Sequence, residues 1–177
     1  MKAFVCAGVL LLAGSCVAAQ DTHSHAPKPV TVEFKNAQGQ SVGTAVLTPA
    51  PQGVRIKLDI KGLPEGEHSL HIHQVAKCDA PDFKTAGPHF NPMGGMSHDD
   101  HAHDAGAPAG DIPNFSLIVG ADGTAHVTVI APNVTLGTDD HSVFSNGGTS
   151  IVIHAASSGA SGTAPARIAC GTITKPE

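Results

Sequence analysis

Tryptophan and tyrosine are absent from the 177 residues, and only 6 phenylalanines stand in for them. A core without large aromatic rings has to be built from Val, Ile, Leu and Ala. Positive charge is scarce as well: 10 Lys and Arg face 15 Asp and Glu, for a formal net charge of −5. Nucleic-acid binding needs basic patches, and this balance argues against it. No segment carries a sustained helical period, and the one continuous apolar stretch, Val5 to Ala13, is too short to span a bilayer. Cysteine is sparse too. Of the 4 present, Cys6 and Cys16 lie near the N-terminus, which leaves Cys78 and Cys170 in the body of the chain.

The N-terminus has an addressing pattern. A basic start at Lys2, the apolar stretch and the small residues Val17-Ala18-Ala19 form a secretory signal over residues 1–19, cleaved before Gln20. A competing reading takes Leu12-Ala13-Gly14-Ser15-Cys16 as a lipobox, with Cys16 acylated and the protein held at a membrane surface. Both readings place the folded part outside the cytoplasm, in the periplasm or the extracellular space. Two remaining cysteines in an exported chain form one bridge as a rule, a free thiol pair being the other reading. Residues 20–29 are polar and proline-bearing and are expected to be disordered.

From residue 30 the pattern is that of strands. Val54-Arg55-Ile56-Lys57-Leu58-Asp59-Ile60 alternates apolar and polar at every step, as a half-buried strand does. Val30 to Phe34, Val42 to Leu47, Phe115 to Val119, Ala125 to Ile130, Ile151 to His154 and Ile168 to Ile173 read the same way. Asn36 to Gly39 and Ala121-Asp122-Gly123 are hairpin-turn signals. The pattern predicts an antiparallel barrel or sandwich of seven or eight short strands filling residues 30–177. Only residues 78–114 break it, running through Gly, Pro, His and Asp without apolar periodicity. A loop of that length in a compact domain is usually functional or disordered, and its histidines and cysteine favour function.

Twelve histidines are many for this length, and position separates them. In Leu70-His71-Ile72-His73, strand alternation turns Leu70 and Ile72 to the core and puts His71 and His73 together on the other side. Ile151-Val152-Ile153-His154 repeats the logic, with His154 facing outward at the strand end, and His89 lies in the long loop. Four imidazoles without a thiolate suit Cu(II), although zinc takes the same donors.

With these residues come longer blocks. The run Gly62-Leu63-Pro64-Glu65-Gly66-Glu67-His68-Ser69-Leu70-His71-Ile72-His73 is followed by Cys78 and by Ala86-Gly87-Pro88-His89-Phe90-Asn91-Pro92. Then come Gly110-Asp111-Ile112-Pro113-Asn114, Ile153-His154-Ala155 and Ala166-Arg167-Ile168-Ala169-Cys170-Gly171. In content and order these blocks resemble the copper/zinc superoxide dismutases over roughly residues 30–173. The resemblance implies an eight-stranded Greek-key barrel with long metal-binding loops, and it allows a homodimer. It implies copper on His71, His73, His89 and His154, with His89 also bridging to zinc and handling a proton. Arg167 would line the approach to copper and draw in superoxide, Cys78 and Cys170 would form the family disulfide, and His68 would hydrogen-bond the backbone.

The zinc side departs from the family pattern. Asp111 fits the zinc aspartate, and His98 fits one zinc histidine one residue late. Pro108 stands where the other should be. Either His101 or His103 replaces the lost ligand, or zinc is absent or weakly held and copper works alone. Ser157 and Ser158 occupy the region of the aspartate that links the two metals in the family, and the run 155–166 is short and lacks Lys. With Arg167 almost alone on an acidic chain, steering of an anion should be weak and its salt dependence shallow. The implied function is superoxide dismutation to oxygen and hydrogen peroxide. The alternative is a non-enzymatic copper buffer or delivery protein on the same fold, which would have no need of Arg167. His23, His25, His126 and His141 read as surface residues.

Overall fold

The computed structural model describes residues 27–93, 107–155 and 165–176. The signal region, Cys16, His98, His101, His103, Ser157 and Ser158 lie outside the described residues. Eight strands follow in order: β1 Val30–Asn36, β2 Ser41–Ala50, β3 Gly53–Ile60, β4 Gly66–His73, β5 Leu117–Val119, β6 Ala125–Ala131, β7 Thr149–His154 and β8 Arg167–Ile173. All ladders are antiparallel, and the spatial order is β5-β4-β7-β8-β1-β2-β3-β6. The two end strands, β5 and β6, are consecutive in sequence and joined by the tight 120–124 turn, so the sheet rolls into a nearly closed barrel. The non-sequential neighbours β4–β7 and β3–β6 give it Greek-key connectivity.

Local chemistry sets the hairpins. At the β1–β2 turn the Asn36 side-chain oxygen accepts the backbone N–H groups of Gln38 and Gln40. At the β5–β6 turn Asp122 accepts both the N–H and the hydroxyl of Thr124. These Asx-type bonds satisfy backbone donors that the ladder cannot reach.

The barrel interior is aliphatic, as the missing aromatics require. Phe34, Leu47, Ile56, Leu58, Ile60, Leu70, Ile72, Leu117, Ile151, Ile153 and Ile173 are fully buried, each stabilising the fold by roughly 1.5–3 kcal/mol through its burial. A second, smaller apolar cluster lies outside the wall, where Phe83 and Ala86 pack on Val152 and Cys170. It seats the long loop on β7 and β8. The Cys78–Cys170 disulfide, with Cα atoms 5.6 Å apart, fastens the loop there.

The expected strand Phe115 to Val119 is shorter than the pattern implied. Asn114 has a positive φ of 56° that turns the chain, and Phe115 and Ser116 stay outside the strand, which starts at Leu117. Ser116 spends its hydroxyl on the Glu67 carboxylate instead.

Candidate metal centre

Strands β4 and β7 pair so that Leu70 faces Ile153, His71 faces Val152 and Ser69 faces His154. Residues opposite one another share a face, so His71, His73 and His154 all project outside the barrel while Leu70, Ile72, Ile151 and Ile153 fill it. The alternation expected from sequence holds. That outer face is not open to solvent: His71 is 8% exposed, His154 4% and His73 0%. The cause is the loop that follows Cys78, which folds back over β4. Gln74 N–H donates to Pro88 O, Val75 N–H donates to Ala86 O, and Phe90 N–H donates to Ile72 O.

That fold-back delivers the fourth imidazole. His89 stacks on His71 with ring centroids 4.2 Å apart and meets His73 edge-on at 4.8 Å. One nitrogen from each of His71, His73, His89 and His154 lies within 4.8 Å of all the others. Gly110 closes the arrangement. Its carbonyl accepts from Ile72 N–H, and its N–H donates to Phe90 O. A Cβ at residue 110 would lie 2.1 Å from Ile72 O, so only glycine can run this close to β4. Next to it, Asp111 Oδ1 accepts from His89 Nδ1–H at 2.6 Å. Pro108 is buried, and its carbonyl takes the Asp111 N–H.

The outer nitrogens of these rings decide what the inner ones can do. His73 Nδ1 is 2.9 Å from Gly87 O, and His154 Nδ1 is 3.2 Å from Pro165 O. A carbonyl only accepts, so both Nδ1 atoms carry the proton and both Nε2 atoms present bare lone pairs. Those two Nε2 atoms face each other at 3.2 Å. A proton is a poor occupant between them. Burial is the main force lowering the pKa of His73 to about 2 and of His154 to about 4, with the neighbouring His89 and Arg167 charges pushing the same way. Neutral imidazoles with opposed lone pairs and fixed outer nitrogens are metal ligands in waiting. Four such donors without a thiolate suit cupric copper. His89 and Asp111 are the two described donors on the zinc side, of a kind zinc accepts.

Arg167 opens β8, half-buried. Its Nη1 donates to Phe83 O and its Nη2 to Gly87 O, each at 2.8 Å. The Gly87 carbonyl thus holds both the guanidinium and His73. Gly87 has a positive φ of 76°, and a side chain there would crowd Val75. Burial lowers the guanidinium pKa while Asp82 pulls it up, and an arginine keeps its charge in either case.

His68 engages backbone with both ring nitrogens, His154 O and Pro64 O at 2.9 Å each, and stays outside the cluster. His126 is exposed beside Asp59, and His141 Nδ1 donates to Asn133 O. What sequence reasoning missed are the carbonyls of Phe83, Gly87, Pro165 and Gly110. Their side chains carry no mark of the role, and only the glycines offered a signal.

The comparisons agree with this geometry. Residues 41–173 match the family described as copper/zinc superoxide dismutase (SODC). The chain is 40% identical to superoxide dismutase [Cu-Zn] 2 of Aquifex aeolicus, over 96% of each chain. It is 37% identical to superoxide dismutase [Cu-Zn] of Caulobacter vibrioides, over 81% of this chain and 84% of that one. Among solved structures, a SOD-like protein from Bacillus subtilis superposes with a TM-score of 0.67 at 30% identity, covering 80% of this chain and 96% of the other. The Cu/Zn superoxide dismutase from Brucella abortus gives 0.63 at 27%, covering 82% and 99%. A family match over residues 41–173 and relatives 37–40% identical over most of both chains leave one conclusion: the chain belongs to the copper/zinc superoxide dismutase family.

Proposed function

We propose that this chain is a superoxide dismutase acting outside the cytoplasm. One observation carries the reading: the Gly87 carbonyl holds His73 and Arg167 together, fixing a permanent cation beside the copper ligands. Copper held by these four histidines would supply the one-electron chemistry by which two superoxide anions and two protons become oxygen and hydrogen peroxide. The chain's own residues do the rest. His73 and His154 present neutral Nε2 atoms because their Nδ1 protons are committed to carbonyls. Arg167 has five N–H donors, two of them anchored on the loop, and its forked charge attracts and orients a small anion. With its Nδ1–H donated to Asp111, His89 has Nε2 left to face the cluster and carry a proton; zinc at Nδ1 would take the place of that Nδ1 proton.

A copper store would need the imidazoles but not a guanidinium locked to the carbonyl that orients one of them. Export rests on the basic, apolar, small-residue order of residues 1–19 together with the disulfide, with acylation at Cys16 as the route to a membrane surface. Copper-loaded protein should consume superoxide. His71→Ala should lose both metal and activity, whereas Arg167→Ala should keep copper and fall in rate by roughly one order of magnitude or more, as loss of a transition-state or capture charge does. Full activity in Arg167→Ala would contradict the assignment. Mass analysis of the mature N-terminus and cell fractionation test the export.

A further inference from the structure

Arg167 grips the loop at two carbonyls, Phe83 and Gly87. Between them runs the 3-10 turn Lys84–Ala86, and Asp82 immediately precedes Phe83. Asp82 and Lys84 project into solvent, their side chains 53% and 82% exposed, and form an ion pair at 2.8 Å. The other Asp82 oxygen accepts the Lys84 backbone N–H at 3.2 Å, which fixes the carboxylate over the turn. Hydrogen bonds from the Lys84 side chain and backbone hold the Asp82 carboxyl below its usual range, so it stays ionised. It lies close enough to Arg167 to favour the guanidinium's charged form. One negative and one positive charge therefore sit at the lip of the segment that Arg167 holds.

Accepting the dismutase reading above, we propose that Asp82 is a rate-setting residue for anion capture: its carboxylate cancels Lys84 beside Arg167 and denies the approaching superoxide a second attractive charge. Arg167 alone then acts, and only at short range. This gives the weak steering expected from composition a structural cause, and the cause can be removed. A unit charge about 10 Å from an anion in water changes its local concentration by about twofold at low ionic strength. Salt screens that effect, with a Debye length of about 8 Å at 0.15 M and about 3 Å at 1 M.

The test uses copper-loaded full-length protein, the single variants Asp82→Asn and Lys84→Gln, and the double variant. The second-order rate with superoxide is measured from low to high salt. Azide affinity is followed in parallel through its charge-transfer band as an anion-capture readout independent of turnover. Asp82→Asn should raise both rate and azide affinity about twofold at low salt, steepen the salt dependence, and converge on the parent protein at high salt. Lys84→Gln should lower both by a similar factor, and the double variant should return close to the parent. Unchanged azide affinity in Asp82→Asn at low salt would overturn the proposal. So would a change that persists undiminished at high salt, since that marks a packing effect. Should the parent bind copper and azide but consume no superoxide, the dismutase reading fails while the azide series still decides the role of Asp82.

Discussion

The two sides of the barrel treat their outer faces in opposite ways. On the side of β2, β3 and β6, strand β3 buries Val54, Ile56, Leu58 and Ile60 and leaves Arg55, Lys57 and Asp59 in water. On the side of β4 and β7, both faces are covered: residues 68–73 and all six residues of β7 are buried. Both sides obey the same alternation, since every second residue points inward on each. The difference is a loop. Where nothing covers the outer face, its residues are ordinary surface. Where the 78–92 segment is folded over it, the outer residues become a dry, polar pocket in which burial holds the His73 and His154 rings neutral. A metal site arises here by giving a strand a second interior.

That contrast can be broken most severely at Gly110, where loop and strand touch. A methyl group at this position meets Ile72 O at 2.1 Å and Phe90 N at 2.9 Å, backbone atoms that cannot swing aside. Gly110→Ala should cost about 3 kcal/mol, the upper part of the overpacking range, and should draw Asp111 away from His89. Denaturant unfolding with copper titration checks it, and a variant with parental stability would contradict the close approach.

An effect of comparable size, spread over the pH scale, also separates the two sides. The unfolded chain protonates its histidines near pH 6.5, while folded His73 and His154 stay neutral down to about 2 and about 4. The unfolded state therefore binds more protons in that window. Copper-free stability is complete above about pH 6.5 and falls as pH drops below it, by up to about 1.4 kcal/mol per histidine per pH unit. Thermal melts of the copper-free protein from pH 7.5 to 5 should show a falling midpoint, and a flat profile would mean these rings are not held in a dry pocket. Least affected should be the plain side: Lys57→Gln, on the exposed face of β3, should change stability by no more than about 0.5 kcal/mol in the same unfolding assay.

How much of this was legible in the sequence follows the same division. The β3 side was readable residue by residue, because one face meets water and the alternation of Val, Arg, Ile and Lys records that. On the other side, His71-Ile72-His73 and Ile153-His154 gave the ligands and their common face. The burial of that face was invisible, because it depends on a loop without periodicity that closes through backbone atoms. No side chain announces that the Gly87 carbonyl will hold both His73 and Arg167, or that Pro165 will orient His154. The Phe115 end of β5 was misread for a related reason: the apolar pattern continues through a residue whose neighbour, Asn114, turns the backbone.

The central claim is that His71, His73, His89 and His154 converge on a single copper. Electron paramagnetic resonance of the copper-loaded protein tests it most directly. The account predicts one cupric signal per chain with nitrogen hyperfine structure from imidazole donors, lost in His71→Ala. A spectrum dominated by oxygen ligands, or a nitrogen signal that survives that substitution unchanged, would contradict it.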